Sequence, residues 1–502
     1  MKPPTPAPLV ELMADHSNAP GGTETHVSVL LFAGSRAFKF CKPVKLDFLD
    51  YSTPQLRAAA LRTELQCNRR FAPDVYLDVV ELVGTQHEHG ETDAPGEPVL
   101  IMRRMPEDRR FTRLLGTSEA GPLTMALARR IAVLHAEAPR PIGAAAAATR
   151  SAVGANWDKN HETLRHHAGV VLDEATVQAI GERFRRYLDG REALFNARIT
   201  AGRAIDGHGD LQCEDIFCLP DGPRVLDCLA FDDRLRYGDV LLDAAFLAMD
   251  IERLGGVSLA DEFLRWYGEF SGEAHPASLA HHYVAYRAQV RCKVACLRWS
   301  QGDPTAAAEA VDHLRRCQRH LDQGRVRLVL VGGAPGTGKT TVANGLGDRL
   351  GWAVLNSDTV RKELAGMAPT DRAITDVDQG LYDPASTMAT YQELLRRAGM
   401  LLAMGEHVIL DASWTDEAQR ITARSLADER FADLIEIRLD TDPLAARTRI
   451  ESRQLAGRGA SDATAAVAEA LRIRAAHWPE ARLVRTDGPL DATIDAACQL
   501  VS

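Results

Sequence analysis

The chain has 502 residues, of which 45% are hydrophobic and 25% charged, with a formal net charge of −10. That length exceeds what one core serves and implies roughly two to four domains, while the acidic balance excludes a broad surface for a nucleic-acid backbone. No apolar run reaches the roughly 18 residues of a membrane span, and the Pro-rich opening Met1–Pro8 lacks the apolar core of a signal peptide. A cytoplasmic protein is expected, with neither a membrane nor a nucleic acid among its partners. The nine cysteines contain no Cys-x-x-Cys pair. Cys213 with Cys218 and Cys292 with Cys296 lack a His cluster to complete a zinc site, so buried free thiols in a reducing compartment are expected.

In chain order, a loose Pro/Ala lead gives way to short strands at His26–Phe32 and Arg36–Phe40, joined by Ala33-Gly34-Ser35, a hairpin pattern. A helix is expected over Thr53–Phe71, ending at Pro73. Two strands then flank a polar loop, Gln86–Pro98. Helical text covers Leu123–His135 and resumes after the alanines at 144–148. Strands return over Ala204–Leu219 and Arg224–Leu229, and helices then carry the chain to Leu321. Asp322-Gln323-Gly324-Arg325 marks the expected boundary between a front domain, 1–322, and a rear domain, 326–502.

The rear domain opens on a fully matched phosphate-binding loop. The apolar run Leu328-Val329-Leu330-Val331 leads into Gly333-Ala334-Pro335-Gly336-Thr337-Gly338-Lys339-Thr340, and helical text from Thr341 leads out. This is the strand–loop–helix context in which the motif has meaning. The glycines let backbone N–H groups nest around phosphates at the positive end of a helix dipole. Lys339 then reaches the β- and γ-phosphates, and the Thr340 hydroxyl can ligand Mg²⁺. Residues 333–341 are therefore the expected ATP contacts. Further on, Trp352–Asp358 and His407–Asp411 read as strands ending in acids, Asp411 being a second Mg²⁺ ligand, and Leu434–Leu439 as the next strand. Alternation with helices predicts a parallel α/β sheet whose ligand sits at the strand C-termini. Arg449 and Arg453 share one helical face that can close over the triphosphate, whereas Arg447 reads as solvated. Ser461-Asp462 reads as a fresh helix cap.

The front domain carries a second set. Lys39 lies on the hairpin and Glu64 on the following helix; His208-Gly209-Asp210-Leu211, Asp215 and Val225-Leu226-Asp227 come later. Phosphoryl transfer needs these parts: a Lys held by a helix Glu, a carboxylate near the acceptor hydroxyl, and further oxygens for Mg²⁺.

His208–Ile216, Leu226-Asp227-Cys228 and Asp239–Leu247 resemble the aminoglycoside phosphotransferase branch of the protein-kinase-like fold. The stretches Phe38–Val44, Phe48-Leu49-Asp50 and Glu64–Arg70 are closer still to bacterial two-domain proteins that fuse such a module to a phosphate-loop kinase. This resemblance implies an α+β front domain with Asp210 as catalytic base, Asp227 as principal metal ligand, Lys39 as the phosphate-binding Lys and Glu64 as its partner. In the rear, Ser357-Asp358-x-x-Arg361-Lys362-x-Leu364 with Arg449-x-x-x-Arg453 resembles the small kinases grouped with zeta toxins, gluconate kinases and polynucleotide kinases. It implies Asp358 as base for the acceptor hydroxyl, or alternatively as a helix N-cap, and Arg361 as the acceptor-binding residue. Two departures stand out. Asp215 occupies the place of a metal-binding Asn, adding charge beside two other carboxylates, and Ala230 stands where the family carries an acid. The expected function is a bifunctional phosphotransferase that uses ATP and Mg²⁺ on an unidentified small molecule. The competing reading is an ATP-gated binding protein with a degenerate front domain.

Overall fold

Ser28–Ala33 (β2) and Arg36–Cys41 (β3) pair antiparallel, with Ala33 opposite Arg36 across a two-residue turn in which Gly34 takes φ 55°, the geometry such hairpins favour. This is a computed structural model, and it describes residues 22–25, 27–46, 49–82, 96–368, 383–456 and 478–501, with the side chains of 453–456 left out. The expected lead at 1–20, most of the polar loop and the Ser461 cap lie outside the described residues. Contacts divide the chain into two compact units, 1–152 with 198–274, and 153–197 with 275–502. The expected boundary at 322–326 thus falls inside the second unit; what begins there is its first strand.

The first unit is built on a five-stranded antiparallel sheet. β1 (Gly22–Glu24), β2, β3, β5 (Glu97–Arg103) and β4 (Tyr76–Leu82) lie in the order β1-β2-β3-β5-β4. A helix over Pro54–Arg69 covers one face. Thr53 caps it by accepting the Leu56 N–H, and Pro54 takes the first turn, where its missing N–H costs nothing. Leu61, Leu65, Val75, Tyr76 and Leu100 close the core between helix and sheet, while Leu31, Phe40 and Val99 pack on the opposite face.

The expected strand over Ala204–Leu219 breaks in the middle. β6 (Ala204–Asp206) and β7 (Ile216–Leu219) are strands, and residues between them form a loop. β7 pairs with β8 (Gly222–Val225), and β6 with β9 (Tyr237–Asp239). The break has a cause distant in sequence. Asp243, on the helix Val240–Gly255, accepts the backbone N–H groups of His208 at 2.7 Å and Gly209 at 2.9 Å, and both are withdrawn from strand pairing. Asp239 caps that helix through the Leu241 N–H and is ion-paired to buried Arg198, which also pairs with Glu273.

The second unit holds a five-stranded parallel sheet. β10 (Arg327–Gly332), β11 (Ala353–Asn356), β12 (Val408–Asp411), β13 (Asp433–Asp440) and β14 (Arg482–Arg485) lie in the order β11-β12-β10-β13-β14. β10 is buried along its whole length, as a central parallel strand covered on both faces must be. Val329, Val331, Val342, Leu346, Ile409, Ile437 and Leu439 form its core. Helices over Glu174–Asp189, Ala277–Ser300 and Ala306–Gln323 belong to this unit as well. No helix among the described residues is long and apolar enough to cross a membrane. Eight of the nine cysteines are buried, and all are free thiols.

Candidate functional site

In the first unit, β3 carries Lys39 and the Pro54–Arg69 helix carries Glu64, and their packing brings Lys39 Nζ to 2.7 Å from Glu64 Oε1. Asp227 Oδ1 lies 3.8 Å from the same ammonium. Burial works against the charge on Lys39, but Glu64 and Asp227 outweigh it and hold its pKa well above the ordinary lysine value. Asp227 does not end a strand as expected. β8 stops at Val225, and Asp227 takes φ 64°, a left-handed conformation that costs a non-glycine residue on the order of 1 kcal/mol or more. Two contacts fix it: its N–H donates to the Tyr76 hydroxyl at 3.0 Å, and the next N–H, of Cys228, donates to Asn68 Oδ1 at 2.8 Å. The strain turns the carboxylate outward beside Lys39, and its side chain is 61% exposed.

Asp210 follows Gly209, whose φ is 85°, and accepts a hydrogen bond from Gln212 Nε2 at 2.9 Å. His208 Nε2 donates to the Leu226 carbonyl at 3.0 Å, tying the Asp210 loop to the Asp227 segment. Asp215 sits just beyond, and the Leu226 N–H donates to its carbonyl. Burial, followed by the charges of Asp227 and Asp210, pushes the Asp215 carboxyl well above the usual range. The three carboxylates therefore feel one another. Yet among the described residues no three His, Cys, Asp or Glu side chains are grouped tightly enough to hold a metal by themselves. Hard oxygen donors of this kind suit Mg²⁺ when a phosphate supplies further ligands. Ala230 is half-buried and places no acid here.

Asp243 lies within Asp239–Leu247, where the sequence assigns it no role, although it shapes this loop. Asp243→Ala would leave the buried His208 and Gly209 donors unpaired, at about 1–3 kcal/mol each. A clear drop in the urea midpoint of the full chain is expected.

In the second unit, β10 delivers the phosphate loop and the helix Lys339–Leu350 carries it onward. Gly333 has φ 138° and Gly336 φ 84°, and a Cβ on either would lie 2.5 Å from the Leu439 carbonyl oxygen or 2.6 Å from that of Ala446. Only glycine keeps this cradle open, so the loop fits a polyphosphate. Pro335 and Thr337 are buried in its wall, while Thr341 is exposed on the first helical turn. Lys339 Nζ donates to the Ala334 carbonyl at 3.1 Å. Thr340 Oγ1 lies 2.6 Å from Asp411 Oδ2, at the end of β12. Burial lifts the Asp411 carboxyl above its ordinary range, against the pull of Lys339. A hydroxyl and a buried carboxylate side by side suit a hard divalent cation.

β11 ends at Asn356 rather than at Asp358. Asn356 caps the helix Ser357–Leu364, accepting the Thr359 N–H, and its amide donates to Asp411 Oδ2 at 2.5 Å. Asp358 is therefore not the cap. It stands in the first turn and binds Arg361 Nη1 at 2.6 Å, with Arg361 only 8% exposed. Tyr391 and Trp414 also gave no signal in the sequence. The Tyr391 hydroxyl accepts the Trp414 N–H at 3.2 Å and meets Ser413 Oγ at 3.1 Å, and the Ser413 carbonyl accepts the Gly333 N–H. Trp414 takes φ 52°, so this wall of the site carries backbone strain.

Arg449 reaches the loop through Thr486. Its Nη2 donates to the Thr486 carbonyl at 2.7 Å, and the Thr486 hydroxyl donates to the Thr337 carbonyl at 2.9 Å. Arg447 instead pairs with Glu451 in solvent. The Arg453 side chain lies outside the described residues.

An AAA domain matches residues 328–477. The uncharacterized protein Rv2004c of Mycobacterium tuberculosis is 41% identical over 476 residues, 94% of each chain, and the uncharacterized protein Mb2027c of Mycobacterium bovis matches to the same extent. Among solved structures, a choline/ethanolamine kinase family protein from Mesorhizobium loti is 16% identical with a TM-score of 0.40, covering 62% of this chain and 94% of its own. The Mycobacterium tuberculosis APS kinase CysC is 21% identical with a TM-score of 0.26, covering 35% and 98%. An α+β unit on an antiparallel sheet and a phosphate-loop domain on a parallel sheet are joined in one chain. At 41% identity across 94% of both sequences, the chain belongs to the family of Rv2004c.

Proposed function

We propose that the chain is a bifunctional phosphotransferase that moves the γ-phosphoryl group of ATP to a hydroxyl of a small molecule, with Mg²⁺ and in the cytoplasm. In this reading the functional domains follow the chain as 1–322 and 326–502, although 153–197 and 275–322 pack with the second unit. The observation that carries the reading is the glycine cradle with the Thr340–Asp411 pair beside it at the C-terminal edge of the sheet. ATP supplies the phosphoryl group, and the cation neutralises charge on its oxygens.

In the rear site, Gly333–Thr341 hold the polyphosphate and Lys339 and Arg449 offset its charge, with Arg453 on the same helix. Thr340 and Asp411 are the cation's protein ligands. Arg361 holds the acceptor, and Asp358 takes the proton from its hydroxyl. The Asp358–Arg361 ion pair keeps base and acceptor-binding group in one place. Asp358→Asn should leave ATP affinity unchanged and remove transfer, by a factor on the order of 10²–10⁴. Full transfer by that variant, followed as ADP release, would remove Asp358 from the chemistry.

In the front site, Lys39, held by Glu64, binds phosphate oxygens; Asp227 and Asp215 ligand the cation; and Asp210 accepts the hydroxyl proton. One observation favours the second reading, an ATP-gated binding protein with a degenerate front domain: Asp215 is pushed toward its protonated form. A carboxyl whose folded pKa exceeds its unfolded value adds stability at low pH and loses it as pH rises through the folded pKa. Asp215→Asn should therefore raise the melting temperature of the metal-free chain more near about pH 8 than near about pH 5. Equal shifts at both would show that Asp215 is not strained by its neighbours.

The functional test is a screen of hydroxyl-bearing metabolites for ATP consumption by the full chain, with Lys339→Ala and Asp210→Ala as controls. Turnover lost in one control assigns the acceptor to that site. No acceptor-dependent turnover would favour the binding protein.

A further inference from the structure

Away from the phosphate loop, three segments of the second unit meet at the start of its sheet. The helix Glu174–Asp189 ends there at Gly190, the helix Ala306–Gln323 ends at Gly324, and β13 begins at Asp433. Between them lies a recess of about 400 Å³, including its open mouth, lined by Arg183, Arg186, Arg191, His282, Arg325 and Asp433, among others. Val326, also in its wall, immediately precedes β10. The recess therefore lies at the opposite edge of the sheet from the phosphate loop, roughly 20 Å away along the strand.

Arg191 is 0% exposed. Its Nη1 donates to the carbonyls of Gly190 at 2.9 Å and Arg430 at 2.7 Å, which staples the helix end to the turn before β13. Its Nε and Nη2 are buried without a partner. Those two N–H groups are parallel along one edge of the guanidinium, the edge that grips two oxygens of a carboxylate or phosphate. His282 adds a donor. Its Nε2 accepts from Trp157 Nε1 at 3.0 Å, and burial pushes its pKa down to about 3. The ring is neutral with its proton on Nδ1, which is also buried without a partner. Arg183 Nη1 is in the same state, while its Nη2 pairs with Asp322 at 3.0 Å. Arg325 and Arg186 share Asp433, at 3.1 and 3.6 Å. Four guanidinium groups thus face two carboxylates, leaving two positive charges in a chain whose net charge is −10.

A purely structural staple accounts for Arg191 Nη1 but not for four unpartnered donors on three residues. We propose that this recess binds a phosphate dianion, either free or as the monoester of a small metabolite, at a site separate from the phosphate loop. The Nε–Nη2 edge of Arg191 takes two phosphate oxygens, Arg183 and His282 Nδ1 donate to the dianion from the wall, and Arg325 guards the mouth.

The test uses full-length protein with Lys339→Ala, which disables the phosphate loop, titrated calorimetrically with orthophosphate, glycerol 3-phosphate and acetate. Saturable binding of a phosphate is expected, with acetate much weaker. Hydrogen exchange should slow in peptides covering 183–191 and 320–326. Tighter binding of orthophosphate assigns the free ion, and tighter binding of glycerol 3-phosphate assigns a monoester. Arg191→Lys keeps the charge but loses the fork and should weaken binding about tenfold or more. Should that variant fail to fold, Arg183→Gln with Arg325→Gln decides the matter, because both side chains are partly exposed and binding should again fall about tenfold. The proposal is overturned by no saturable phosphate binding, by equal affinity for acetate, or by affinity unchanged in every folded variant; the recess would then hold only water.

Discussion

Lys339→Ala is expected to reduce the number of nucleotide sites in the full chain from two to one. The lysine is the cation of the phosphate loop, and a charge-assisted bond to phosphate is worth about 1.5–3 kcal/mol. Affinity at the rear site should fall by roughly ten- to a hundredfold on that basis. Turnover there should fall further, on the order of 10²–10³, because the ammonium also offsets charge that builds in the transition state. The fold should survive, since the cradle is shaped by glycine backbone and by the buried β10 rather than by this side chain. Calorimetric titration with ATP and Mg²⁺ reads the stoichiometry directly. Two sites of unchanged affinity would mean that the loop holds no nucleotide.

The second large effect concerns Asp210. Asp210→Ala should abolish acceptor-dependent ADP release by the front site, a loss of about 10²–10⁴, while ATP affinity there changes little. Lys39 and Glu64 remain in contact in that variant, and Asp227 remains beside them. Asp215→Asn provides the contrast. Burial and the charges of Asp227 and Asp210 raise its carboxyl, and like charges at close range cost on the order of 1–4 kcal/mol near a surface. Removing one should tighten nucleotide binding at low Mg²⁺ with the base left in place. If Asp210→Ala leaves turnover intact and Asp215→Asn leaves affinity intact, the front domain transfers no phosphoryl group.

What could be read in advance divides by range along the chain. The phosphate loop is legible because its chemistry is contiguous, eight residues between an apolar strand and a helix. Lys39 and Glu64 are legible as parts of a set, although only packing brings them to 2.7 Å. The loop between β6 and β7 reads as strand in the sequence because the residue that breaks it, Asp243, lies more than thirty positions later. Nothing local in Ala204–Leu219 competes with strand pairing; a distant carboxylate does. Asp358 reads as a strand end for a related reason, since the strand stops at Asn356, which caps the helix two residues earlier. Tyr391, Trp414 and Thr486 line the rear site through contacts whose partners lie 22 to 149 positions away, and no window on the sequence holds both ends. The recess around Arg191 belongs to the same class.

The interleaving of the two units also bears on how the chain is made. The first unit has all of its residues once synthesis passes 274, although residues 153–197 inside that stretch belong to the second. Arg186 must wait for Asp433, and Arg191 for the Arg430 carbonyl. At about 5–20 residues per second, the helix Glu174–Asp189 spends on the order of ten to fifty seconds on the ribosome before those partners emerge. Its buried face, Val177, Ile180, Phe184 and Leu188, already meets Trp157 and His161 through Phe184, so only the pairings of Arg186 and Arg191 wait for that interval. A chain cut at the front edge of β10 keeps that helix and leaves Arg186 without Asp433 and Arg191 without the Arg430 carbonyl.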